Sequence, residues 1–183
     1  MTFEVKRIVT DRDGNAQSFI SEKGTSIERE TVLGYEFDNI WGTNDSVPYV
    51  REAGANPDSV FDPFFPPPAG TRFMVVHYPP DSTGGSEMDP GSYNAEALAA
   101  AEQQQPGGIG GLFDPDEPGL HASDTIDYGF CVDGEIHMRT ADGDEVLVTV
   151  GTAIIQRGTR HSWHNRSGKN VTIVWTVVGA ERR

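Results

Sequence analysis

Two histidines and one aspartate in the second half of the chain have the types and spacing of a metal site. Because side chains alternate along an extended segment, His121, Ser123 and Asp127 fall on one face of the stretch that leads into a predicted strand. In a later stretch, His161 and Trp163 share a face. If both faces line the inside of one barrel, two imidazoles and one carboxylate converge there, a set that holds a divalent metal and leaves coordination positions open. Such a set suits Fe²⁺ and, with less selectivity, Zn²⁺, Mn²⁺ or Ni²⁺.

Short β-prone segments surround these residues and must position them. They are regularly spaced and separated by glycine-containing turns, which is typical of an antiparallel sandwich or barrel. The fold class predicted for this half is therefore all-β. The predicted strands are residues 127–132, 135–140, 145–150, 152–156, 160–165 and 171–178.

The first 80 residues predict fewer strands and one unusual loop. We expect a hairpin with strands at 3–10 and 16–20 around a turn at 11–14, and further strands at 34–41 and 72–78. Prolines interrupt residues 56–70, with three phenylalanines between them. Exposed aromatic rings of that density are costly, so we expect this loop to pack across the body of the domain.

Residues 81–120 interrupt the strand pattern and form a predicted insertion. They are rich in Gly, Pro, Asp and Ser and enclose one helical segment, 94–105. Asn94 can cap the start of this helix, and the Pro-Gly-Gly sequence at 106–108 ends it. Apart from Leu98, its apolar residues are mostly alanines, which are too small to anchor a core. A solvated surface excursion is the favoured interpretation, and a lid over a site is the alternative.

Length and charge limit the classes of function. A chain of 183 residues is the size of one domain, here 1–183, with N-terminal strands and loop (1–80), insertion (81–120) and strand-rich part (121–183). The net charge of −14 repels phosphate backbones and anionic lipid, so we expect neither a nucleic-acid nor a membrane partner. The single cysteine, Cys131, cannot form an internal disulfide, which favours a cytoplasmic protein.

Two stretches, residues 121–135 and 151–165, resemble the two signature motifs of the cupin superfamily. In the first, His121 takes the position of the first histidine, Asp127 that of the glutamate and Gly134 that of the closing glycine. In the second, Gly151, Gly158, His161 and Asn165 match, and Gln156 stands where proline is usual. Ser123 replaces the second histidine of the first motif.

The resemblance implies a cupin-type antiparallel β-barrel with an internal pocket open at one end, and often a homodimer. It implies a metal-dependent enzyme that acts on a small organic molecule, with His121, Asp127 and His161 as metal ligands. An Fe²⁺ oxygenase is the favoured activity. A Zn²⁺ or Mn²⁺ isomerase, lyase or hydrolase is the first alternative, and a metal-free small-molecule-binding protein is the second.

Residue roles follow from this hypothesis. His161 and Asp127 are the candidate catalytic residues. The candidate substrate-binding residues are Trp163, Gln156, Ser123 and His77. For His77, which shares a strand face with Phe73 and Val75, a hydrogen-bonded histidine of the core or pocket is favoured over a metal ligand. His137 is expected to face outward or toward a partner subunit, His164 to lie opposite His161, and Cys131 to serve packing.

Overall fold

A computed structural model describes most of the chain as two antiparallel sheets, a hairpin and one helix. The described residues are 4–21, 27, 29–45, 47, 49–54, 56–81, 94–114, 116–117 and 119–183. The first strands are β1 (Val9–Arg12), β2 (Ser18–Ser21), β3 (Arg29–Val32), β4 (Tyr35–Thr43) and β5 (Thr71–Tyr78), followed by helix α1 (Ala95–Gln104). The later strands are β6 (Thr125–Asp133), β7 (Glu135–Thr140), β8 (Glu145–Thr149), β9 (Ala153–Arg157), β10 (His161–His164) and β11 (Val171–Gly179).

The strands form a large and a small sheet that enclose the core. The large sheet has six strands in the order β3-β4-β5-β11-β6-β9, and the small sheet has three in the order β10-β7-β8. One cluster of buried residues joins both, with Met74 and Ile173 from the large sheet and Ile136 and Trp163 from the small one. This arrangement confirms the predicted all-β, cupin-like barrel.

Strand β6 shows how the sequence selects the inner face. Its burial alternates residue by residue along nearly its whole length, as expected for a strand with one buried face. Asp127 and Cys131 point inward, whereas Tyr128 and Phe130 are about half exposed on the outer face. Alternate residues of β6 therefore point into the interior, and those between them point outward.

The N-terminal hairpin forms with a different register from the prediction. Its strands begin later and its turn covers residues 13–17, because the Asp13 carboxylate accepts hydrogen bonds from the backbone of Asn15 and Gln17. Asp11, predicted in the turn, lies in β1, where it is buried and accepts hydrogen bonds from Asn56. Residue 3 of the predicted first strand lies outside the described residues.

The proline-rich loop packs on the domain as predicted. Phe64 is buried, and the fully buried Arg72 guanidinium donates hydrogen bonds to the carbonyl oxygens of Phe64, Pro63 and Thr43. Arg72 thereby fixes the loop to β5 and places Phe64 and Phe65 against the interior.

The insertion is only partly what the sequence predicts. Helix α1 forms with Asn94 as its cap. It is not a solvated surface excursion, because Leu98 and Ala101 are buried in the core. A Cβ on Gly110 would lie 2.7 Å from the carbonyl oxygen of Leu98, so glycine permits the close approach. The segment also hydrogen-bonds the proline-rich loop, with the Phe64 amide donating to the Pro106 carbonyl at 2.8 Å. Residues 82–93 of the predicted insertion lie outside the described part.

No helix in the described ranges is long and apolar enough to cross a bilayer.

Candidate functional site

A cavity lies inside the barrel, between the two sheets and beneath the segment that follows α1. It contains about 590 Å³ of empty space, part of which is continuous with solvent. Sixteen described residues line it, and eight of them are Phe, Tyr or Trp. The lining residues are Tyr35, Phe37, Phe64, Phe65, Met74, Val76, Tyr78, Ile109, Phe113, His121, Ser123, Asp127, His161, Trp163, Trp175 and Val177.

His121 and His161, here called the histidine pair, lie side by side on the cavity wall. Each backbone N–H donates to the other residue's carbonyl, at 3.0 and 2.9 Å, so the stretch before β6 forms a β-bridge with β10. The two ring centroids are 4.4 Å apart. The predicted convergence of these two histidines is therefore present in the structure.

Backbone contacts fix the orientation of both rings. His121 Nδ1 lies 3.0 Å from the Gly119 carbonyl oxygen, and His161 Nδ1 lies 2.9 Å from that of Thr159. Since a carbonyl only accepts, each Nδ1 carries the proton and each neutral ring leaves Nε2 as an unprotonated acceptor.

Burial keeps the histidine pair uncharged. It lowers the pKa of His121 despite the opposing hydrogen bond to Gly119. It also lowers the pKa of His161 to about 3, with a further contribution from the charge that His121 would carry. Two neutral imidazoles therefore face the cavity at physiological pH.

Asp127, on β6 of the large sheet, supplies the cavity's carboxylate. It is 8% exposed, and its Oδ1 has no hydrogen-bond partner within the described residues. Burial raises the pKa of Asp127 to about 6, against a smaller opposing effect of the Thr125 hydroxyl. An acid with an unpaired oxygen thus lies at the edge of an apolar space, which is costly unless something binds there.

Ser123 and Trp163 line the cavity as predicted. The Ser123 hydroxyl lies 2.6 Å from that of Thr125, so its hydrogen-bonding capacity is partly used within the protein. The Trp163 ring is nearly perpendicular to that of His161, at 5.8 Å, and lies 5.6 Å from that of Tyr78. Trp163 therefore packs against His161 and also forms part of the cavity wall.

His77 and Gln156 correct the predicted set of substrate-binding residues. His77 lies on the outer face of the large sheet, because Met74, Val76 and Tyr78 occupy the inward positions of β5. Its Nε2 contacts Asp38 and its Nδ1 contacts Thr172, both at 3.0 Å. Gln156 pairs in register with Asp127 and is buried, but it is not among the residues that line the cavity.

The predicted three-ligand metal group is not assembled in the structure. The donors fit a divalent metal in chemical type, because metal-binding histidines commonly donate their second ring N–H to a backbone carbonyl. However, no three His, Cys, Asp or Glu side chains within the described residues are grouped closely enough to hold a metal ion. Asp127 lines the same cavity without joining the histidine pair in such a group.

Three aromatic residues of the site escape prediction from sequence. Tyr78, Phe113 and Trp175 line the cavity, and the Trp175 indole N–H donates to the Tyr78 hydroxyl at 3.1 Å. Phe113 packs edge-on against His121 at 5.1 Å. For Tyr78 and Trp175 the only sequence signal is the inward parity of β5 and β11, which is equally expected of core residues, and Phe113 lies outside both strands.

The chain is similar to several known proteins over a limited length. No family model matches it. Phomopsin biosynthesis cluster protein C' of Diaporthe leptostromiformis is 42% identical over 48 residues, 26% of this chain and 25% of that protein. The cupin-domain-containing oxidoreductase virC of Hypocrea virens is 31% identical over 62 residues, 32% of each protein. The match thus spans about a quarter to a third of these curated relatives.

A solved structure resembles the chain over more of its length. The cupin domain of Schizosaccharomyces pombe Cnp3 aligns with a TM-score of 0.49 and 11% identity, covering 96% of this chain and 89% of that one.

Proposed function

We propose that this chain, a member of the cupin superfamily, binds a small organic molecule in its cavity and acts on it through His121, His161 and Asp127. The observation that carries the proposal is the state of these polar groups. Two neutral imidazoles present free Nε2 atoms to the cavity, and the Asp127 carboxylate has an unpaired oxygen there. A buried polar group without a partner costs free energy that a ligand would recover.

The cavity's walls favour a hydrophobic skeleton. Half of its described lining residues are aromatic, and small-molecule sites are lined predominantly by hydrophobic and aromatic side chains. In a mostly apolar pocket, a small number of polar groups fixes the orientation of the ligand.

The polar groups suit proton transfer. The pKa of Asp127, about 6, lies close enough to neutrality for its carboxyl to release and regain a proton. Nε2 of His161 or His121 can accept a hydrogen bond from a hydroxyl or ammonium group of the ligand. Asp127 is the proposed acid or base, and the histidine pair orients the ligand.

Thermal unfolding in the presence of a library of small cationic, neutral and anionic organic molecules tests the proposal. A ligand at about 100 times its Kd stabilises a protein by about 2.7 kcal/mol, which raises Tm by about 5–10 °C for a domain of this size. His161→Phe should abolish the shift, whereas His137→Phe, on the outer face of the small sheet, should preserve it. The proposal fails if no compound shifts Tm or if His161→Phe leaves every shift unchanged.

A metal-dependent oxidoreductase is the second candidate, and the orientation of the histidine pair favours it. Both Nδ1 atoms are bonded to backbone carbonyls, which leaves both Nε2 atoms available as ligands. Two matched relatives are named cupin-domain-containing oxidoreductases. In this candidate His121 and His161 would hold a divalent metal, Fe²⁺ first and Zn²⁺, Mn²⁺ or Ni²⁺ next. Asp127, the third ligand predicted from sequence, is not grouped with the pair in the structure. Such a metal would supply redox chemistry, or Lewis-acid chemistry in an isomerase, lyase or hydrolase.

Metal content separates the two candidates. Protein produced with added Fe, Zn, Mn and Ni is analysed by elemental mass spectrometry. The oxidoreductase predicts about one equivalent of metal, lost in a His121→Ala, His161→Ala double variant and retained in His137→Ala. Less than about a tenth of an equivalent under every condition rejects it and leaves the metal-free candidate.

A further inference from the structure

The cavity's charge pattern indicates what kind of molecule it holds. Asp127 is the only acidic residue among the described residues that line it, and none of them is Lys or Arg. No Lys or Arg side chain on the described wall therefore balances the carboxylate, and the Nδ1 atoms of the histidine pair are bonded to backbone carbonyls. A complementary ligand would bring the positive charge itself.

Aromatic rings surround the inner face near Asp127. The Trp175 ring lies against the backbone two residues further along β6, where a Cβ on Gly129 would be 2.5 Å from its Cζ3. Trp163 lies 5.9 Å from Trp175 and 5.6 Å from Tyr78. Asp127 is near enough to Tyr78 that its charge, together with burial, raises the pKa of the phenol. Aromatic faces stabilise organic cations, most strongly where water is excluded.

We propose that the ligand is an organic ammonium ion on a hydrophobic skeleton, with its charge against Asp127 and its skeleton among Tyr78, Trp163 and Trp175. This inference rests on the proposed small-molecule function and names its ligand class. The protein's net charge of −14 adds long-range attraction for a cation and repulsion for an anion.

Calorimetric titration of the full chain with three matched probes tests the inference. Phenethylamine carries an ammonium group, phenethyl alcohol a neutral hydroxyl and hydrocinnamate a carboxylate, each on the same phenyl skeleton. EDTA in the buffer removes divalent cations that would compete for Asp127. We expect phenethylamine to bind at least about tenfold more tightly than phenethyl alcohol, and hydrocinnamate to bind most weakly.

Two variants locate the effect. Asp127→Asn should remove the preference for phenethylamine while keeping the affinity for phenethyl alcohol within about threefold, which also shows that the variant is folded. Asp124→Asn removes the same charge from an exposed position, so it should retain the preference. If Asp124→Asn weakens phenethylamine binding as much as Asp127→Asn does, the contact with Asp127 is rejected.

The remaining outcomes separate this inference from the proposed function. Equal or tighter binding of phenethyl alcohol or hydrocinnamate rejects the ammonium class but leaves small-molecule binding in the cavity intact. Failure of all three probes, in a protein that binds only neutral or anionic library compounds, also rejects the ammonium class alone. Failure of these probes and of the whole library rejects both.

Discussion

Two buried aspartates lie on opposite faces of the large sheet, in contrasting environments. Asp38 of β4 faces outward and is 3% exposed, and Asp127 of β6 faces the cavity and is 8% exposed. Burial alone raises the pKa of both carboxyl groups. The groups that contact each carboxylate determine whether its pKa is finally raised or lowered.

Asp38 belongs to what we call the outer network, formed with Arg29, His77 and Thr172. Arg29 donates two parallel hydrogen bonds to its carboxylate, at 2.8 and 2.7 Å, and His77 Nε2 lies 3.0 Å away. Although burial opposes it, hydrogen bonds from Arg29 and then His77 hold the pKa of Asp38 below its ordinary value. These contacts stabilise the charged form and tie β3, β4, β5 and β11 together.

Among the described residues of the cavity wall, Asp127 has no cationic partner, and burial raises its pKa. A buried aspartate is therefore structural where the protein supplies its hydrogen-bond partners, and available for a ligand where the protein does not. A histidine accompanies each aspartate, so residue type alone does not distinguish the two sites.

Substitution of Asp38 should change the free energy of unfolding the most, because it disrupts the outer network. Asp38→Asn removes the charge that Arg29 and His77 share, and loss of one partner from a buried ionic group should lower the free energy of unfolding by about 2–4 kcal/mol. Urea denaturation at neutral pH measures this change. Asp124→Asn, which breaks an exposed ion pair with Arg182, should cost less than about 1 kcal/mol. If both variants lower the free energy of unfolding by the same amount, the outer network stabilises the fold no more than an exposed ion pair does.

Substitution of Asp127 should change the free energy of unfolding in the opposite direction. Because its folded pKa is about 6, against about 3.9 in the unfolded chain, its ionisation destabilises the fold at neutral pH. Asp127→Asn should therefore raise the free energy of unfolding by about 1–2 kcal/mol at pH 7. A loss of stability like that expected for Asp38→Asn would mean that the carboxylate has a structural partner.

The pH dependence sharpens the contrast. The folded state holds a proton on Asp127 that the unfolded state has lost, so the destabilising effect is absent below about pH 4 and grows up to about pH 6. For Asp38, whose folded pKa is lowered, the stabilisation is present above about pH 4 and is lost as pH falls through the folded pKa. Relative to wild type, the denaturation midpoint of Asp127→Asn should rise as pH increases from about 4 to about 6. That of Asp38→Asn should fall as pH increases from the folded pKa of Asp38 to about 4.

Much of the strand-rich part could be predicted from sequence. Strand β7 has the predicted bounds, and β6, β8, β9, β10 and β11 differ only at their ends, since glycine turns and alternation are local signals. The pairing of His121 with His161 also follows from the motif spacing. Strand β3 was not predicted, because its residues form a strand only through pairing with β4.

The rest of the site depends on distances that sequence does not encode. Alternation correctly groups His77 with Phe73 and Val75, but only the pairing of β5 with β4 and β11 shows that this group faces away from the cavity. The gap between the sheets likewise decides whether Asp127 joins the histidine pair. Tyr78 and Trp175 resemble ordinary core residues until an empty space is found beside them.

The most direct test is a carbon-13 NMR titration of the side-chain carboxyl groups, with Asp38→Asn and Asp127→Asn used to assign the two signals. We predict that Asp127 titrates near pH 6 in the free protein and that Asp38 stays ionised to below about pH 4. An Asp127 signal that titrates at or below about pH 4, as a paired carboxylate does, would contradict the claim that the cavity leaves this group for a ligand.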